Sequence, residues 1–341
     1  MTSRRHFLRR LAVLTAPFLV PRKIFAGTYD TVMTVSGPIS AARMKFTLSH
    51  EHILVDFIGA KKIAPGRYQV EDVIKTALPH LLAVKENGCF SFVDCTPAYL
   101  GRDVALLKEL SAKTGLNILT PTGYYGAAGE KHVPEHAYSE TAQQLANSWI
   151  SEWNDGIEGT GIRPGFIKTG VDRAPLTAVQ QKLLKAAAIT HLATGLTIGV
   201  HTGDGPAAEE QLTILQENGV HPSARIWIHA QNEKDMQFHV RAAQRGSWVS
   251  FDGVNTNSLG AHVEYIINMK KAGHLDKVLV SQDSGWYHVG EPGGGTFNHY
   301  NTVFTDLIPA LKQQGITTSE LELLFVTNPS KAFTVQIRRW K

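Results

Sequence analysis

The chain has 341 residues, of which 34 are Lys or Arg and 30 are Asp or Glu, for a formal net charge of +4. Hydrophobic residues make up 43% of the sequence and charged residues 19%, which is typical of a folded globular protein and excludes a disordered chain or a collagen-like repeat. Beyond residue 26 no run of 18 or more uncharged apolar residues occurs, which excludes a multi-span membrane protein.

The first 26 residues have the composition of an export signal. They hold six basic residues, no Asp or Glu, a short apolar stretch over 11–20 and Ala26 before a polar segment. The motif SRRHFL at positions 3–8 also resembles the twin-arginine signal, which a translocation receptor reads and which is not an anchor. We predict a twin-arginine signal peptide over 1–26, the twin-arginine translocation machinery as a partner, and a periplasmic or secreted protein. A basic N-terminal arm or an uncleaved anchor helix is the alternative.

The positive charge of the chain lies in this leader. Removing its six basic residues from the 34 leaves 28 against 30 acidic residues, so the remaining chain is slightly acidic. Nucleic-acid binding needs a basic face, and we therefore predict no nucleic-acid partner and no membrane span in the mature protein. Cys89 and Cys95 fall on one predicted strand, where they would lie about 20 Å apart, and we expect no disulfide between them.

From residue 30 onward, eight short apolar or β-branched segments alternate with helical segments. The predicted strands are 46–55, 89–96, 116–122, 165–169, 196–201, 225–229, 247–252 and 277–283. Glycines that follow the helical segments, such as Gly115 and Gly195, are typical helix stops. Eight strand–helix repeats without a long unpatterned loop predict a single α/β domain over 30–341, a (β/α)8 TIM barrel. An open doubly wound sheet is the alternative.

Polar side chains stand at the carboxyl ends of five of these strands. In a (β/α)8 barrel those ends meet at one mouth, where the active sites of this architecture lie. His50 and His52 are two residues apart on the first strand, so both imidazoles face the same side. Four imidazoles and one carboxylate at a single mouth suit a divalent transition metal. The predicted ligands are His50, His52, His201, His229 and Asp283.

Lys168 ends the fourth strand, and a simple metal site does not explain it. A surface lysine whose stem lies along apolar neighbours is one interpretation. Among imidazoles and metal ions, however, an ammonium group would repel the cations. Carbon dioxide adds to a neutral amine and gives a carbamate, an anion whose two oxygens can bridge two metal ions. Burial and nearby cations favour the neutral amine that this reaction needs.

These residues resemble the phosphotriesterase family of the amidohydrolase superfamily. The resemblance covers nearly the whole chain after the leader; its motifs are VSGPI at 35–39, FTLSHEH at 46–52 and NPSKAF at 328–333. It implies a binuclear metal centre at the C-terminal end of the barrel strands. His50, His52 and Asp283 would hold the more buried metal, and His201 and His229 the more exposed one. N6-carboxylysine at Lys168 and a hydroxide would bridge the two.

The resemblance also implies a hydrolase that acts on a small molecule with an ester-type bond: a phosphotriester, a lactone or a carboxylate ester. The bridging hydroxide would attack, and Lys168, Tyr125 and Asp283 would be the catalytic residues, with Asp283 as the acceptor of the proton. Tyr125 matches a tyrosine that lies near the exposed metal in the lactonase branch of the family. Zn²⁺ is the first expectation for both metals, and Mn²⁺, Co²⁺ and Fe²⁺ fit nearly as well. A homodimer is expected by analogy.

Two departures from the family pattern are visible. Gly253 stands where the lactonase branch carries an arginine, and Lys45 replaces a glycine that is common in the opening signature. The glycine-rich segment 284–295 is predicted as a loop over the mouth. The candidate substrate-pocket residues are Tyr124, Trp286, Tyr287 and His288.

Two other functions stay open from the sequence. An amidohydrolase that cleaves a cyclic amide or another C–N bond would keep the same metals. A catalytically silent periplasmic binding protein would keep only the barrel.

Overall fold

The computed structural model describes residues 31–341, so the predicted signal peptide over 1–26 lies outside the described residues. The strands of this range are β1 (Thr31–Thr34), β2 (Gly37–Ser40), β3 (Thr47–Val55), β4 (Ser91–Asp94), β5 (Asn117–Leu119), β6 (Pro121–Thr122), β7 (Phe166–Val171), β8 (Ile198–Thr202), β9 (Arg225–Ile228), β10 (Trp248–Phe251), β11 (Val278–Val280) and β12 (Gly285–His288). The α-helices are α1 (Val70–Glu86), α2 (Val104–Thr114), α3 (His136–Ser139), α4 (Ala142–Asp155), α5 (Ala178–Thr194), α6 (Gly205–Glu217), α7 (Met236–Gln244), α8 (Leu259–Lys271), α9 (Ile308–Gln313), α10 (Thr318–Glu322) and α11 (Asn328–Phe333).

Each of the eight predicted strand segments forms a strand of a parallel barrel. β3, β4 and β5 pair in one set, and β6 to β11 pair in order in a second set. β5 and β6 are two halves of the third barrel strand, with Thr120 between them. At the other seam, the backbone N–H of Asp283 donates to the carbonyl of His50 over 3.1 Å, which brings the end of β11 against β3. The strands therefore close into a (β/α)8 barrel, and the open doubly wound alternative is wrong.

The barrel strands are apolar runs because both of their faces are buried. All nine residues of β3 are buried, as expected for parallel strands that face the barrel interior on one side and helices on the other. The helices between successive strands cover the outside; α1, for example, buries Val73, Ala77 and Leu81 at helical spacing. Gly115 and Gly195 end α2 and α5 with φ values of 67° and 81°, in agreement with the predicted helix stops.

Two structural elements lie outside the predicted strands and helices. β1 and β2 form an antiparallel hairpin that lies against β5. β12 falls in the segment 284–295 that the sequence predicted as a loop, and it pairs in parallel with β3, with Gly285 opposite His52. This pairing needs glycine, since the φ of Gly285 is 99° and a Cβ atom there would overlap the carbonyl of His52. The loop prediction was therefore wrong for Gly285–His288.

The two cysteines, Cys89 and Cys95, are buried free thiols. Burial raises the pKa of both, that of Cys89 to about 12, so each behaves as a small apolar core residue. In the range 31–341, no helix has the length and apolar character needed to cross a bilayer.

Candidate metal centre

The predicted ligands converge at the carboxyl end of the barrel. Each stands on a barrel strand or directly after one: His50 and His52 on β3, Lys168 on β7, His201 on β8, His229 after β9 and Asp283 after β11. The imidazole rings form a continuous chain, with centroid distances of 5.4 Å between His50 and His52, 5.0 Å between His50 and His229, and 4.5 Å between His201 and His229. The structure therefore brings together the ligand set that the strand-end pattern predicted.

The tightest part of the cluster is formed by His50, His52 and Asp283. Their ligand atoms all lie within 4.8 Å of one another. Oδ1 of Asp283 is 3.3 Å from Nε2 of His50 and 3.1 Å from Nε2 of His52, and Oδ2 of Asp283 is 3.9 Å from Nε2 of His229. The ring nitrogens of His50 and Oδ1 of Asp283 are buried and have no partner with hydrogen-bond geometry among residues 31–341. Buried polar atoms rarely lack a partner, so this donor set fits a bound metal ion.

The protonation states also suit metal binding. Burial, with the Lys168 charge as a second cause, lowers the pKa of His50 to about 3. Burial and the neighbouring His229 likewise hold the pKa of His201 well below its usual value. For Asp283, burial opposes ionisation, but the rings of His50 and His52 outweigh it and hold the carboxyl pKa well below the ordinary range. His50 and His201 are therefore neutral and Asp283 is ionised, which are the forms that coordinate divalent metals.

Neighbouring polar side chains contact the Nδ1 atoms of the imidazoles and fix the orientation of the rings. Asp252, which ends β10 and is fully buried, accepts a hydrogen bond at Oδ1 from Nδ1 of His229 over 2.7 Å, and its Oδ2 is 3.5 Å from Nδ1 of His50. Oγ1 of Thr96 lies 2.7 Å from Nδ1 of His52. These contacts engage the Nδ1 side of the rings and leave Nε2 for the centre, the usual arrangement around metal-bound histidines.

The sequence analysis assigned no role to Asp252 or Thr96. Both end predicted barrel strands, as the ligands do, and that position was the available signal. Burial lowers the pKa of His229, but the adjacent Asp252 carboxylate outweighs burial and raises it. Asp252 and His229 thus form a buried, hydrogen-bonded pair next to Asp283.

Two of the cluster residues have left-handed backbone conformations. The φ angle is 61° at His229 and 53° at Asp283, a region that non-glycine residues rarely adopt. Such conformations cost about 1–3 kcal/mol each and persist where the surrounding structure imposes them, most often at functional sites. In both cases the turn follows directly after a barrel strand and directs the side chain into the mouth.

Lys168 is buried on β7 and does not lie at the surface. Its side chain is 2% exposed, and its backbone pairs with Gly199 of β8. Its carbonyl lies so close to Gly123 that a Cβ atom at Gly123 would overlap it. The interpretation of Lys168 as a surface lysine is therefore wrong.

Of the remaining predicted residues, Tyr125, Trp286 and His288 lie at the mouth. The hydroxyl of Tyr125 is 3.0 Å from Nδ1 of His201. The Trp286 ring lies 5.0 Å from the His52 ring, and its Nε1 donates to the carbonyl of Asp283 over 2.7 Å. The ring of Phe57, for which the sequence predicted no role, lies 5.5 Å from the ring of Trp286 and 5.6 Å from the ring of His288. We call Phe57, Trp286 and His288 the aromatic wall.

Tyr124 and Tyr287, predicted as pocket residues, pack elsewhere. The Tyr124 ring lies in the core beside Trp149 and Tyr99. Tyr287 alternates with Trp286 and His288 along β12, so its ring points to the opposite face and packs against Gly294. The prediction that these two tyrosines line the substrate pocket is therefore corrected by the structure.

Gly253, which stands where the lactonase branch carries an arginine, lies against the side chain of Gln231. A Cβ atom at Gly253 would lie 2.7 Å from Nε2 of Gln231. That amide donates to Oδ1 of Asp252 over 3.1 Å, and its oxygen accepts from the Asp252 backbone N–H over 3.3 Å. Gln231 thus fills the space beside Gly253 and supports Asp252.

Comparisons with known proteins agree with this site. A solved organophosphorus hydrolase from Deinococcus radiodurans superposes with a TM-score of 0.81 at 27% identity, covering 90% of this chain and 98% of that one. A variant of a PTE-like lactonase from the same organism gives 0.80 at 28%, covering 89% and 100%. The N-acetyltaurine hydrolase of Rattus norvegicus is 26% identical over 345 residues, covering 89% of this chain and 97% of that protein. The family model described as "Phosphotriesterase family" matches residues 30–333. The chain therefore belongs to the phosphotriesterase family.

Proposed function

We propose that this protein is a metal-dependent hydrolase of ester-type bonds, with phosphotriesters, lactones and carboxylate esters as candidate substrates. The observation that carries the proposal is the convergence of four imidazoles, the Asp283 carboxylate and the buried Lys168 at the mouth of the barrel. Relatives of similar length are named organophosphorus hydrolase and PTE-like lactonase, which supports an ester-type bond over other hydrolase substrates.

Two divalent metal ions, Zn²⁺ in the first instance, are proposed for this cluster. His50, His52 and Asp283 would hold one ion, and His201 and His229 the other. A carboxylated Lys168 is proposed to contact both. When bound, such ions polarise a P=O or C=O oxygen and lower the pKa of a water molecule toward about 7. The unpartnered ring nitrogens of His50 and the lowered pKa values of His50 and His201 support this assignment.

The residues of the chain then have distinct tasks. Asp283 is ionised, and its Oδ2 lies 3.9 Å from Nε2 of His229. It is therefore placed to accept the proton of the attacking water. Asp252 and Thr96 hold the rings of His229 and His52 by their Nδ1 atoms. The Tyr125 hydroxyl lies against His201 at the edge of the cluster, where it can contact a substrate oxygen.

The aromatic wall is proposed to bind an apolar part of the substrate. Phe57 is 37% exposed and packs against Trp286, which itself packs on His52. Flat apolar surfaces of this kind bind aryl and alkyl groups and leave the ester group free to face the metals. An uncharged ester with one bulky apolar substituent therefore fits the site best.

Replacing Phe57 by Ala tests this pocket. We expect KM for aryl and long-chain esters to rise by about 5- to 30-fold with little change in kcat, because the lost contact area is worth roughly 1–2 kcal/mol. Steady-state kinetics of wild type and variant on a matched aryl and methyl ester pair would show it. Tyr138→Ala is the control, since Tyr138 is 47% exposed on α3. The aromatic wall would be ruled out as a binding surface if Phe57→Ala changed KM equally for the aryl and the methyl ester. It would also be ruled out if Tyr138→Ala changed KM as much as Phe57→Ala does.

A second candidate function is hydrolysis of a C–N bond. It is favoured by the relative named N-acetyltaurine hydrolase, which spans nearly the same length. The same cluster could polarise and attack an amide carbonyl. Activity measurements must therefore decide whether the protein cleaves a C–O, P–O or C–N bond.

A panel of substrates on metal-loaded protein distinguishes these functions. The panel contains phosphotriesters, lactones, carboxylate esters, N-acyl amino sulfonates and cyclic amides, each tested with Zn²⁺, Mn²⁺ and Co²⁺. We expect turnover of at least one ester class above all amides. Turnover of amides alone would replace the leading proposal by the second one. A metal-loaded protein that is inactive on every member would instead favour the catalytically silent binding protein.

Export through the twin-arginine machinery and a periplasmic or secreted location are also proposed, from the leader sequence alone. Replacing both Arg4 and Arg5 by Lys should hold the full-length protein in the cytoplasm, which cell fractionation and immunoblotting would measure. Substituting Arg9 and Arg10 in the same way is the control and should leave export intact. Equal export of both variants would contradict the twin-arginine assignment.

A further inference from the structure

Glu51 lies between two predicted metal ligands and has no place in the chemistry described so far. It stands on β3 between His50 and His52 and is fully buried. Because side chains alternate along a strand, its carboxylate lies on the opposite face of β3 from the two imidazoles. Buried carboxylates are costly unless several donors satisfy them, so the partners of Glu51 indicate its purpose.

All three hydrogen bonds to the Glu51 carboxylate come from the segment Ser281–Ser284, which carries Asp283. Oε1 accepts from the Ser281 hydroxyl over 2.7 Å and from the backbone N–H of Gln282 over 3.0 Å. Oε2 accepts from the backbone N–H of Ser284 over 2.8 Å. These donors flank Asp283 on both sides along the chain.

Backbone contacts join the same segment to the ligands on β3. The His50 N–H donates to the Ser281 hydroxyl oxygen over 3.0 Å, and the Asp283 N–H donates to the His50 carbonyl over 3.1 Å. The His52 N–H donates to the Ser284 carbonyl over 2.9 Å. Asp283 itself has a φ of 53°, a conformation that an aspartate keeps only when its neighbours impose it.

We propose that Glu51 is a positioning residue for the metal centre. Its carboxylate holds the backbone on both sides of Asp283, and this directs Oδ1 of Asp283 toward Nε2 of His50 and His52. Glu51 acts through Asp283 and touches neither substrate nor metal. The inference rests on the proposed function only in requiring that the cluster binds metal ions.

The contacts require a carboxylate and not merely a polar side chain. All three partners are donors, and between them they use both side-chain oxygens of Glu51 as acceptors. A glutamine at position 51 would place an NH₂ group against at least one of these donors and leave it without an acceptor. Glu51→Gln therefore keeps the size of the side chain and removes the property that the inference assigns to it.

The test is the equilibrium affinity for Zn²⁺, measured by competition with a chelating dye, together with Tm of the metal-free protein. Glu51→Gln is expected to weaken Zn²⁺ binding by about 10- to 100-fold, as loss of a residue that orients a ligand does. Ser281→Ala removes one of the three donors and should cause a smaller loss in the same direction. Asn328→Ala is the control for general destabilisation, because Asn328 is buried and bonds the carbonyls of Leu275 and Val278 at the other end of β11.

Asn328→Ala is expected to lower Tm while Zn²⁺ affinity stays within about twofold of wild type, since distant sites act independently. Wild-type affinity in Glu51→Gln, or an equal loss in Asn328→Ala, would overturn the inference. If Glu51→Gln does not fold, the Zn²⁺ affinity of Ser281→Ala is the test. An unchanged affinity in that variant would contradict the positioning role of Glu51. A wild-type protein that binds no Zn²⁺ would instead refute the proposed function itself.

Discussion

Replacing Lys168 by Met is expected to lower kcat/KM on the best ester substrate by about 10³-fold or more. A metal centre supplies several kcal/mol of transition-state stabilisation, and each loss of about 1.4 kcal/mol is a factor of ten in rate. Lys168 is 2% exposed among the four imidazoles, so a methionine of similar length fits the space but contributes no anion. A small carboxylic acid added to the assay should restore part of the activity, because its two oxygens can replace those of the proposed carbamate.

The stability of the metal-free variant gives an independent measurement. Burying the polar amine of Lys168 costs free energy that a buried methionine avoids, so metal-free Lys168→Met should have a higher Tm than metal-free wild type. Lys185→Met, at an exposed position of α5, is the matched control and should change neither property. Full activity of Lys168→Met with normal metal content would refute the bridging role of Lys168. In that case the intact mass of the wild-type protein should show no added carbon dioxide.

Replacing Asp283 by Asn is expected to have an effect of similar size. The carboxylate lies within 3.3 Å of Nε2 of His50 and His52 and is held ionised well below its ordinary pKa, whereas an amide carries no charge and accepts no proton. We expect kcat/KM to fall by about 10³-fold or more, with loss of at least one bound metal. Kinetics and elemental analysis of the same preparation measure both.

Asp235→Asn is the control for Asp283→Asn, since Asp235 caps the N-terminus of α7 and asparagine caps a helix nearly as well. That control should retain its metals and its activity. If Asp283→Asn kept two metals and more than about a tenth of the activity, Asp283 would be neither a ligand nor the proton acceptor.

The order of elements was predictable because parallel barrel strands are buried on both faces and read as continuous apolar runs. All eight predicted segments contain a barrel strand, and the rule that active sites lie at the carboxyl ends of the strands predicted that four histidines and Asp283 lie together. Lys45 shows how the structure explains a departure from the family pattern. Its φ is 49°, so the residue adopts a conformation in which the glycine common there is unstrained.

The parts that the sequence did not predict depend on long-range contacts. β12 exists because Gly285 can approach the His52 carbonyl, a pairing across more than 230 positions that no local pattern encodes. The formation of β12 determines which of its side chains face the mouth of the barrel. Because side chains alternate along the strand, Trp286 belongs to the site and Tyr287 does not. Asp252 was visible in the sequence as a strand-end residue, but its contacts with His50 and His229 are properties of the closed barrel.

The central claim is that the cluster at the barrel mouth holds two metal ions, and elemental analysis of the purified protein after metal-replete expression tests it most directly. We expect two equivalents of divalent metal per chain in the wild-type protein and fewer than two when Asp283 is replaced by Asn. A wild-type protein that is folded and carries well under two equivalents would contradict it.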